Sequence, residues 1–246
     1  MLFSIKDTDS IKIDIKNLKK FIFWCHLSKG ELKAQKCKAL RYIEWGEELK
    51  TSNGKRLPEV PSVKGRKYWY WLPKETKPDV ISNRFIGERF MFLEGGNFKV
   101  CDVFFIATLS NFDREIVLSL INSTITYLIL EVLGRKTYGI GVMYIYGPEI
   151  TGLVLPDPTK FIKEKSKLKK VYQELRSRKI HTIYEELGIN PNLPIRNQNP
   201  NPLPDRKALD DIVFDILGLT EDERREVYWA VCELVKSRLQ KARSVK

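Results

Sequence analysis

The segment at residues 113–134 constrains the fold of this chain more than any other. Its sequence, DREIVLSLINSTITYLILEVLG, is apolar nearly all round a helix, with Asp113 as a candidate N-cap and Gly134 as a candidate C-terminal stop. Such a helix packs against a sheet on one side and against another element on the other. The apolar run within it, residues 116–133, is shorter than the ~20 residues of a membrane span, and polar residues such as Asn122 and Glu131 make it too polar for one. We therefore predict one long buried helix and no membrane segment.

Short strands and turns surround this helix in the sequence pattern. The stretch at residues 51–65 has loop chemistry, and Gly95-Gly96-Asn97 is a candidate turn between two strands. The candidate strands are residues 66–72, 79–82, 88–94, 98–100, 102–109, 139–147 and 149–155. These elements predict a mixed sheet packed on the long helix.

The composition changes after Pro158, where helical patterns replace strands. Residues 159–187 form a basic amphipathic pattern, and residues 206–217 carry one apolar face ended by Gly218. Thr220 with Glu223 three residues later predicts a capping box at the start of the last helix. We predict an α/β (α+β) fold: a domain at residues 1–158 and a helical extension at residues 159–246.

The charge of the chain favours a polyanionic partner. It has 246 residues with 43 Lys and Arg against 31 Asp and Glu, a net charge of +12. DNA, RNA and an anionic membrane surface all fit this charge, which does not choose among them. The four cysteines are scattered without metal-ligand spacing, so we predict free thiols in a reducing cytoplasm.

Searches for catalytic motifs give weak matches. The sequence NPNP at residues 199–202 lacks the aromatic residue with which an amino-group DNA methyltransferase stacks on its target base. Gly139 and Gly141 follow a helix rather than a strand, which argues against a nucleotide-binding loop. Glu48-Leu49-Lys50 matches the Glu-x-Lys pattern of metal-dependent nucleases, but it lies on a predicted helix. Cys25-His26 has no matching third residue for a catalytic triad. We therefore expect no catalytic residue, no metal and no cofactor in this chain.

Basic and aromatic residues alternate through the central region, as in many DNA-binding surfaces. Guanidinium groups pair with phosphates or guanine edges, and Lys supplies point charges to phosphate. The stretch GRKTYGIG at residues 134–141 combines two adjacent cations with glycines that allow a phosphate to approach the backbone. The predicted DNA-binding residues are Arg66, Lys67, Arg84, Arg89, Lys99, Arg135, Lys136 and Tyr138.

Several stretches, taken in order, carry a resemblance to a known family. They are ALRYIEWGEE, GRKYWYWLP, DVISNRFIGERF, the sequence INST at residues 121–124, LEVLGRKTYGIG, LPDPTK, and the helical stretch that begins ALDDIVF at residue 208. Together they resemble the target recognition domain of adenine-specific DNA methyltransferases, especially type IIG restriction–modification enzymes and the Taq-type specificity domain. The resemblance covers nearly the whole chain from about Leu40 onward.

The resemblance implies sequence-specific binding of duplex DNA, with a separate catalytic domain that transfers the methyl group or cleaves. The chain would be either a specificity subunit or a fragment of a larger enzyme, and both readings stay open. One alternative is a divergent methyltransferase or endonuclease with its own active site. Another is a docking subunit that binds a catalytic methyltransferase or nuclease partner through the helix at residues 227–239.

Overall fold

The computed structural model describes residues 1–73, 77–136 and 141–243. The chain divides into two compact units. The larger unit comprises Met1–Lys20 and Lys77–Lys246, and the smaller unit is the insertion Phe21–Thr76. Helices after residue 158 belong to the same unit as the sheets, and the predicted domain boundary at residue 158 stays a prediction.

The described part of the smaller unit, residues 21–73, contains three short α-helices around a small apolar core. The helices are α1 (Lys29–Ala34), α2 (Ala39–Glu48) and α3 (Pro61–Lys64). The core is formed by Leu32, Ile43 and Tyr70. The predicted strand at residues 66–72 is wrong, because these residues form turns. Their side chains pack inward instead: Trp69 covers Gly46 of α2, where an added Cβ would lie 2.7 Å from the indole ring.

Among the described residues of the larger unit, six short strands form two antiparallel sheets. They are β1 (Val80–Asn83), β2 (Phe85–Ile86), β3 (Phe92–Glu94), β4 (Phe104–Ala107), β5 (Arg135–Lys136) and β6 (Met143–Tyr144). The first sheet has the order β3-β1-β4 and the second the order β2-β6-β5. Four of the predicted strands are confirmed in shortened form as β1, β3, β4 and, within the described part of residues 139–147, β6. The predicted strand at residues 98–100 is wrong, since only Val100 forms a bridge, to Leu2.

The backbone of Arg84 joins the two sheets. Its N–H donates to the carbonyl of Val103, next to β4, at 3.2 Å, and its carbonyl accepts from the N–H of Ile145, next to β6, at 2.9 Å. The chain therefore passes from β1 of the first sheet to β2 of the second without a loop.

The predicted long helix is two helices, α4 (Arg114–Ile121) and α5 (Thr124–Leu133), bent by 61°. The break follows from the Asn122 side chain, whose carbonyl oxygen accepts from Phe92 N at 3.0 Å and whose amide donates to Phe92 O at 3.1 Å. These hydrogen bonds satisfy the buried backbone groups of Phe92 in β3, and the helix is interrupted where Asn122 makes them. Among the described residues, no single helix is long and apolar enough to span a membrane; only the bent pair reaches that length and composition.

Five further α-helices follow in the part of the chain that the structure describes. They are α6 (Gly147–Thr151), α7 (Lys165–Ser177), α8 (Ile183–Leu187), α9 (Pro204–Leu217) and α10 (Glu221–Arg243). The predicted strand at residues 149–155 is wrong, since α6 begins at Gly147. The predicted helix at 206–217 and the last helix are confirmed, including the capping box, in which Thr220 N donates to Glu223 Oε2 at 2.8 Å.

The last helix packs inside the larger unit rather than offering a free face. Val227, Val231 and Val235 are buried in its core, and α10 packs against α5. The apolar stripe that the docking hypothesis would use is therefore already covered by the chain itself.

A buried polar network ties α8 and α9 to the break between α4 and α5. Arg206 is fully buried, contacts Glu186 at 3.2 Å and donates to the carbonyl of Asn122. Asp210 accepts from the backbone and hydroxyl of Thr124 at 2.8 and 2.6 Å. Burial raises the pKa of Asp210 to about 6, against the opposing charge of Arg206.

Candidate nucleic-acid interface

Three aromatic rings form a row on the second sheet. Phe85 of β2 lies opposite Tyr144 of β6, with ring centroids 4.7 Å apart, and Tyr146 lies 4.0 Å from Tyr144. Phe85 and Tyr146 are both exposed, at 45% and 42%. Side chains alternate across a strand, so residues 144 and 146 lie on one face, and cross-strand pairing places Phe85 beside them.

Arg135 extends this row with a positive charge. It lies opposite Tyr144 on β5, and its guanidinium group stacks 4.5 Å from the centroid of the Tyr146 ring. Its Nε donates to Glu149 at 2.6 Å, while more than half of the Arg135 side chain remains exposed. We call Phe85, Tyr144, Tyr146 and Arg135 the ring-and-cation surface.

Glu149 holds Arg135 and caps α6. Burial acts to raise the pKa of Glu149, but hydrogen bonds from Arg135 and from the backbone, including Tyr146 N at 2.9 Å, outweigh it and lower the pKa. Glu149 is therefore ionised at neutral pH, and it offsets part of the positive charge on the surface.

Arg84 lies at the junction of the two sheets and precedes Phe85 of the ring-and-cation surface in the chain. Its guanidinium carbon lies 4.6 Å from the centroid of the Phe105 ring. Its Nε is buried and has no hydrogen-bond partner. No acidic side chain pairs with Arg84 in the part of the chain that the structure describes. This half-buried guanidinium group is thus held in place by packing and its charge is not neutralised by an acid.

A buried arginine of the last helix holds the second sheet in position. Arg238 donates to the carbonyls of Ile86 at 3.3 Å, of Gly87 at 2.9 Å, and of Gly141 just before β6. It also forms an ion pair of 2.7 Å with Glu131 of α5. One side chain therefore connects the edge strand β2 and the start of the central strand β6 to α5.

The close packing of β5 against β6 requires a glycine. A Cβ at Gly134 would overlap the Met143 side chain and would lie 2.9 Å from the carbonyl of Leu130. Glycine is therefore needed at position 134 because the two chain segments lie close together, and not because the backbone there is left-handed.

The other predicted DNA-binding residues of the larger unit do not all lie on the second sheet. Arg89 donates to Asp9 at 2.9 Å and anchors the N-terminal segment. The carbonyl of Lys99 accepts from Leu2 N at 2.7 Å, which fixes the same segment. Lys136 of β5 pairs through its backbone with Met143 of β6. Tyr138 lies outside the described residues. The structure thus brings Arg84, Arg135 and the backbone of Lys136 to the second sheet.

Arg66 and Lys67 lie in the smaller unit. Arg66 donates to the carbonyl of Trp71 at 2.8 Å, which closes the aromatic turn. Lys67 is exposed, and its ammonium group lies 5.3 Å from the centroid of the Trp71 ring. Both cations therefore belong to an aromatic cluster of this unit.

Sequence reasoning missed the rings and the buried arginine. The alternation Tyr144-Ile145-Tyr146 carries a signal for two rings on one face of a strand. Arg238 falls three residues after Val235 on the apolar stripe of α10, a position at which a charged residue needs a buried partner. Among the described residues, no group of three or more His, Cys, Asp or Glu could hold a metal ion.

The fold and this surface define a helix-rich α/β domain whose second sheet carries adjacent aromatic rings and a guanidinium group. The chain belongs to the family of the C-terminal domain of the type II methyltransferase M.Eco57I, whose model matches residues 3–189. No curated protein and no solved structure matches the chain. The family match includes both sheets and the smaller unit, whereas α9 and α10 lie outside it.

Membership of this family corrects one prediction and supports others in part. The expectation that the chain is not an enzyme is wrong, because its family is a domain of a type II methyltransferase. The resemblance to methyltransferase-related proteins of restriction–modification systems is confirmed. A methyltransferase domain of this kind also implies an interaction with DNA.

Proposed function

We propose that the chain binds duplex DNA and contributes recognition of the target sequence to a type II methyltransferase. The family supplies the methyltransferase context. The net charge of +12 suits a partner with a phosphate backbone. The methyl-transferring part of the enzyme is the partner that this function requires.

The observation that carries the proposal is the stacking of Arg135 on Tyr146 beside the exposed ring of Phe85. A guanidinium group that lies over a ring loses little freedom when it binds, and the N–H donors of a guanidinium group form a rigid fork. Such a fork suits phosphate oxygens or the acceptor atoms of guanine. Arg84, which no described acid pairs, adds a second cation at the junction of the sheets.

The larger unit keeps this surface rigid before DNA arrives. Arg238 and Glu131 are almost completely buried behind the sheet, and Gly134 allows β5 to lie against Met143. Base readout requires side chains whose positions are fixed by the scaffold. The surface therefore has the rigidity that sequence recognition needs.

The proposal is tested by fluorescence anisotropy of the full chain with a labelled duplex of random sequence. We expect binding at low salt that weakens by at least tenfold between about 50 and 200 mM salt, since each contacted phosphate releases counterions. Selection from a duplex pool with a randomised core should then enrich one sequence. Absence of duplex binding at low salt contradicts DNA binding, and binding without enrichment contradicts sequence recognition.

A further inference from the structure

The smaller unit, Phe21–Thr76, exposes aromatic rings that its fold does not use. Tyr42 and Trp45 of α2 are 50% and 56% exposed, and Phe21 is 93% exposed. The core of this unit already contains Leu32, Ile43 and Tyr70. Exposed rings of this size offer apolar area and flat faces to a ligand.

The exposed rings of α2 are not scattered. The Phe23 ring lies 4.8 Å from that of Tyr42, which lies 5.4 Å from that of Trp45. Residues 42 and 45 are three apart on one helix and therefore share a face. The three rings form a continuous platform, with Phe23 supporting Tyr42 from the edge of the core.

The charge around this platform selects an anionic occupant. The unit has 12 Lys and Arg and six Glu, with no Asp, so it holds half of the net charge of the chain in 56 residues. Arg41 lies on α2 within one turn of Tyr42 and Trp45, and Lys38, directly before α2, lies within one turn of Tyr42. Both are exposed, and neither forms an ion pair with a described residue. Flat rings flanked by cations match bases joined by phosphates.

We propose that the smaller unit binds unpaired nucleotides, which stack on Tyr42 and Trp45 while Lys38 and Arg41 contact their phosphates. Bases inside a duplex are already stacked on one another, so exposed rings favour nucleotides outside the helix. An enzyme that modifies a base in DNA extrudes it from the stack and so generates unpaired nucleotides. The inference rests on the proposed function only in taking DNA as the ligand.

The test is binding of labelled oligothymidylate to the full chain, followed by anisotropy and by quenching of tryptophan fluorescence. The double variant Y42A/W45A should lose at least about tenfold in affinity for oligothymidylate, because stacking contributes about 1–3 kcal/mol per base. Its affinity for duplex should stay within about twofold. Both side chains are exposed, so the variant should fold, which circular dichroism checks. The variant W45F should retain most of the binding, because it keeps a ring.

A matched control removes an exposed ring of the larger unit. Phe112 is 51% exposed, and F112A should leave oligothymidylate binding unchanged. The inference is overturned if the wild-type chain does not bind oligothymidylate, or if Y42A/W45A binds it as tightly as the wild type. Loss of duplex and oligothymidylate binding together in Y42A/W45A also overturns it. Failure of the proposed function gives a different result, with oligothymidylate bound and duplex not bound.

Discussion

Arg238 and Glu131 form an ion pair of 2.7 Å in which both side chains are almost completely buried. The pair joins α10, which lies outside the family match, to α5, which lies within it. The same arginine donates to carbonyls beside the edge strand β2 and the central strand β6 of the second sheet. The helical extension is therefore part of the scaffold of the candidate interface.

Removing Arg238 should destabilise the chain strongly, because Glu131 would remain buried without a partner. R238M should lower the free energy of unfolding by about 3–5 kcal/mol, measured by urea denaturation. The double variant E131M/R238M should recover most of this loss, since two apolar side chains replace the buried charges. As a control, K207A, which breaks the exposed Lys207–Asp211 pair, should cost less than about 1 kcal/mol.

The same double variant separates stability from positioning. E131M/R238M lacks the donor to Ile86, Gly87 and Gly141, so the second sheet loses its anchor even where the core is repaired. We expect its duplex affinity to remain at least about fivefold below that of the wild type. Full recovery of both stability and duplex binding would show that Arg238 has no positioning role.

Gly134→Ala should destabilise the second sheet. The added methyl group would overlap the Met143 side chain, which is fully buried and cannot move into solvent. Overpacking of this kind costs about 1–3 kcal/mol, measured as a change in the free energy of unfolding. Gly147→Ala is the control, because a Cβ there meets no atom within 4 Å. Equal effects of the two substitutions would contradict the packing argument.

Glu186 should make the stability of the chain sensitive to acid. Burial opposes its ionisation, but hydrogen bonds from Arg178 and the charge of Arg206 outweigh it and lower the pKa of Glu186 to about 2. A carboxyl group whose pKa is lower in the folded state than in the unfolded state stabilises the folded state at pH values above its unfolded pKa. This contribution of about 3 kcal/mol is then lost as the pH falls from about 4.5 to 2.

Carbon-13 NMR of the glutamate carboxyl groups measures this pKa directly in the wild-type chain. Urea denaturation from pH 5 to 2.5 should also show a steeper loss of stability for the wild type than for E186Q. A Glu186 titration midpoint near 4.5 would refute the assignment of a strong, buried interaction with Arg178 and Arg206.

Neutralising Glu149 should strengthen DNA binding. E149Q removes the negative charge next to Arg135 while keeping an acceptor for Tyr146 N, so duplex affinity should rise by about threefold at low salt. E223Q is the matched control, since Glu223 is also a capping-box glutamate but lies on α10. If E223Q increases the affinity as much as E149Q, the effect comes from net charge and not from this surface.

Local sequence signals predicted much of the helical framework. The Asp113 N-cap is confirmed, with its carboxylate accepting from Ile116 N at 3.2 Å, and so is the capping box of Thr220 with Glu223. These signals are local, because caps act on backbone groups within one turn. Strands β1, β3 and β4 were predictable from apolar runs for a similar reason.

Features that depend on distant partners were not predictable. The break at Asn122 forms because Phe92, 30 residues away, binds its side chain. The aromatic residues 66–72 have the pattern of a strand, and they form a turn because Trp69 packs against Gly46 of α2. Within the candidate site, the sequence identified Arg84 and Arg135, whereas the row of rings arises only when β2 and β6 pair.

The most direct test of the central claim compares the duplex affinities of R84A/R135A and R196A/R225A. Arg196 and Arg225 are matched controls, since both lie near the Trp229 ring and pair with acids on the helical extension. We predict that R84A/R135A lowers duplex affinity by at least about tenfold and reduces the salt slope by roughly 2, while R196A/R225A changes affinity by less than about threefold. Equal losses in the two double variants, or no loss in R84A/R135A, would contradict the account.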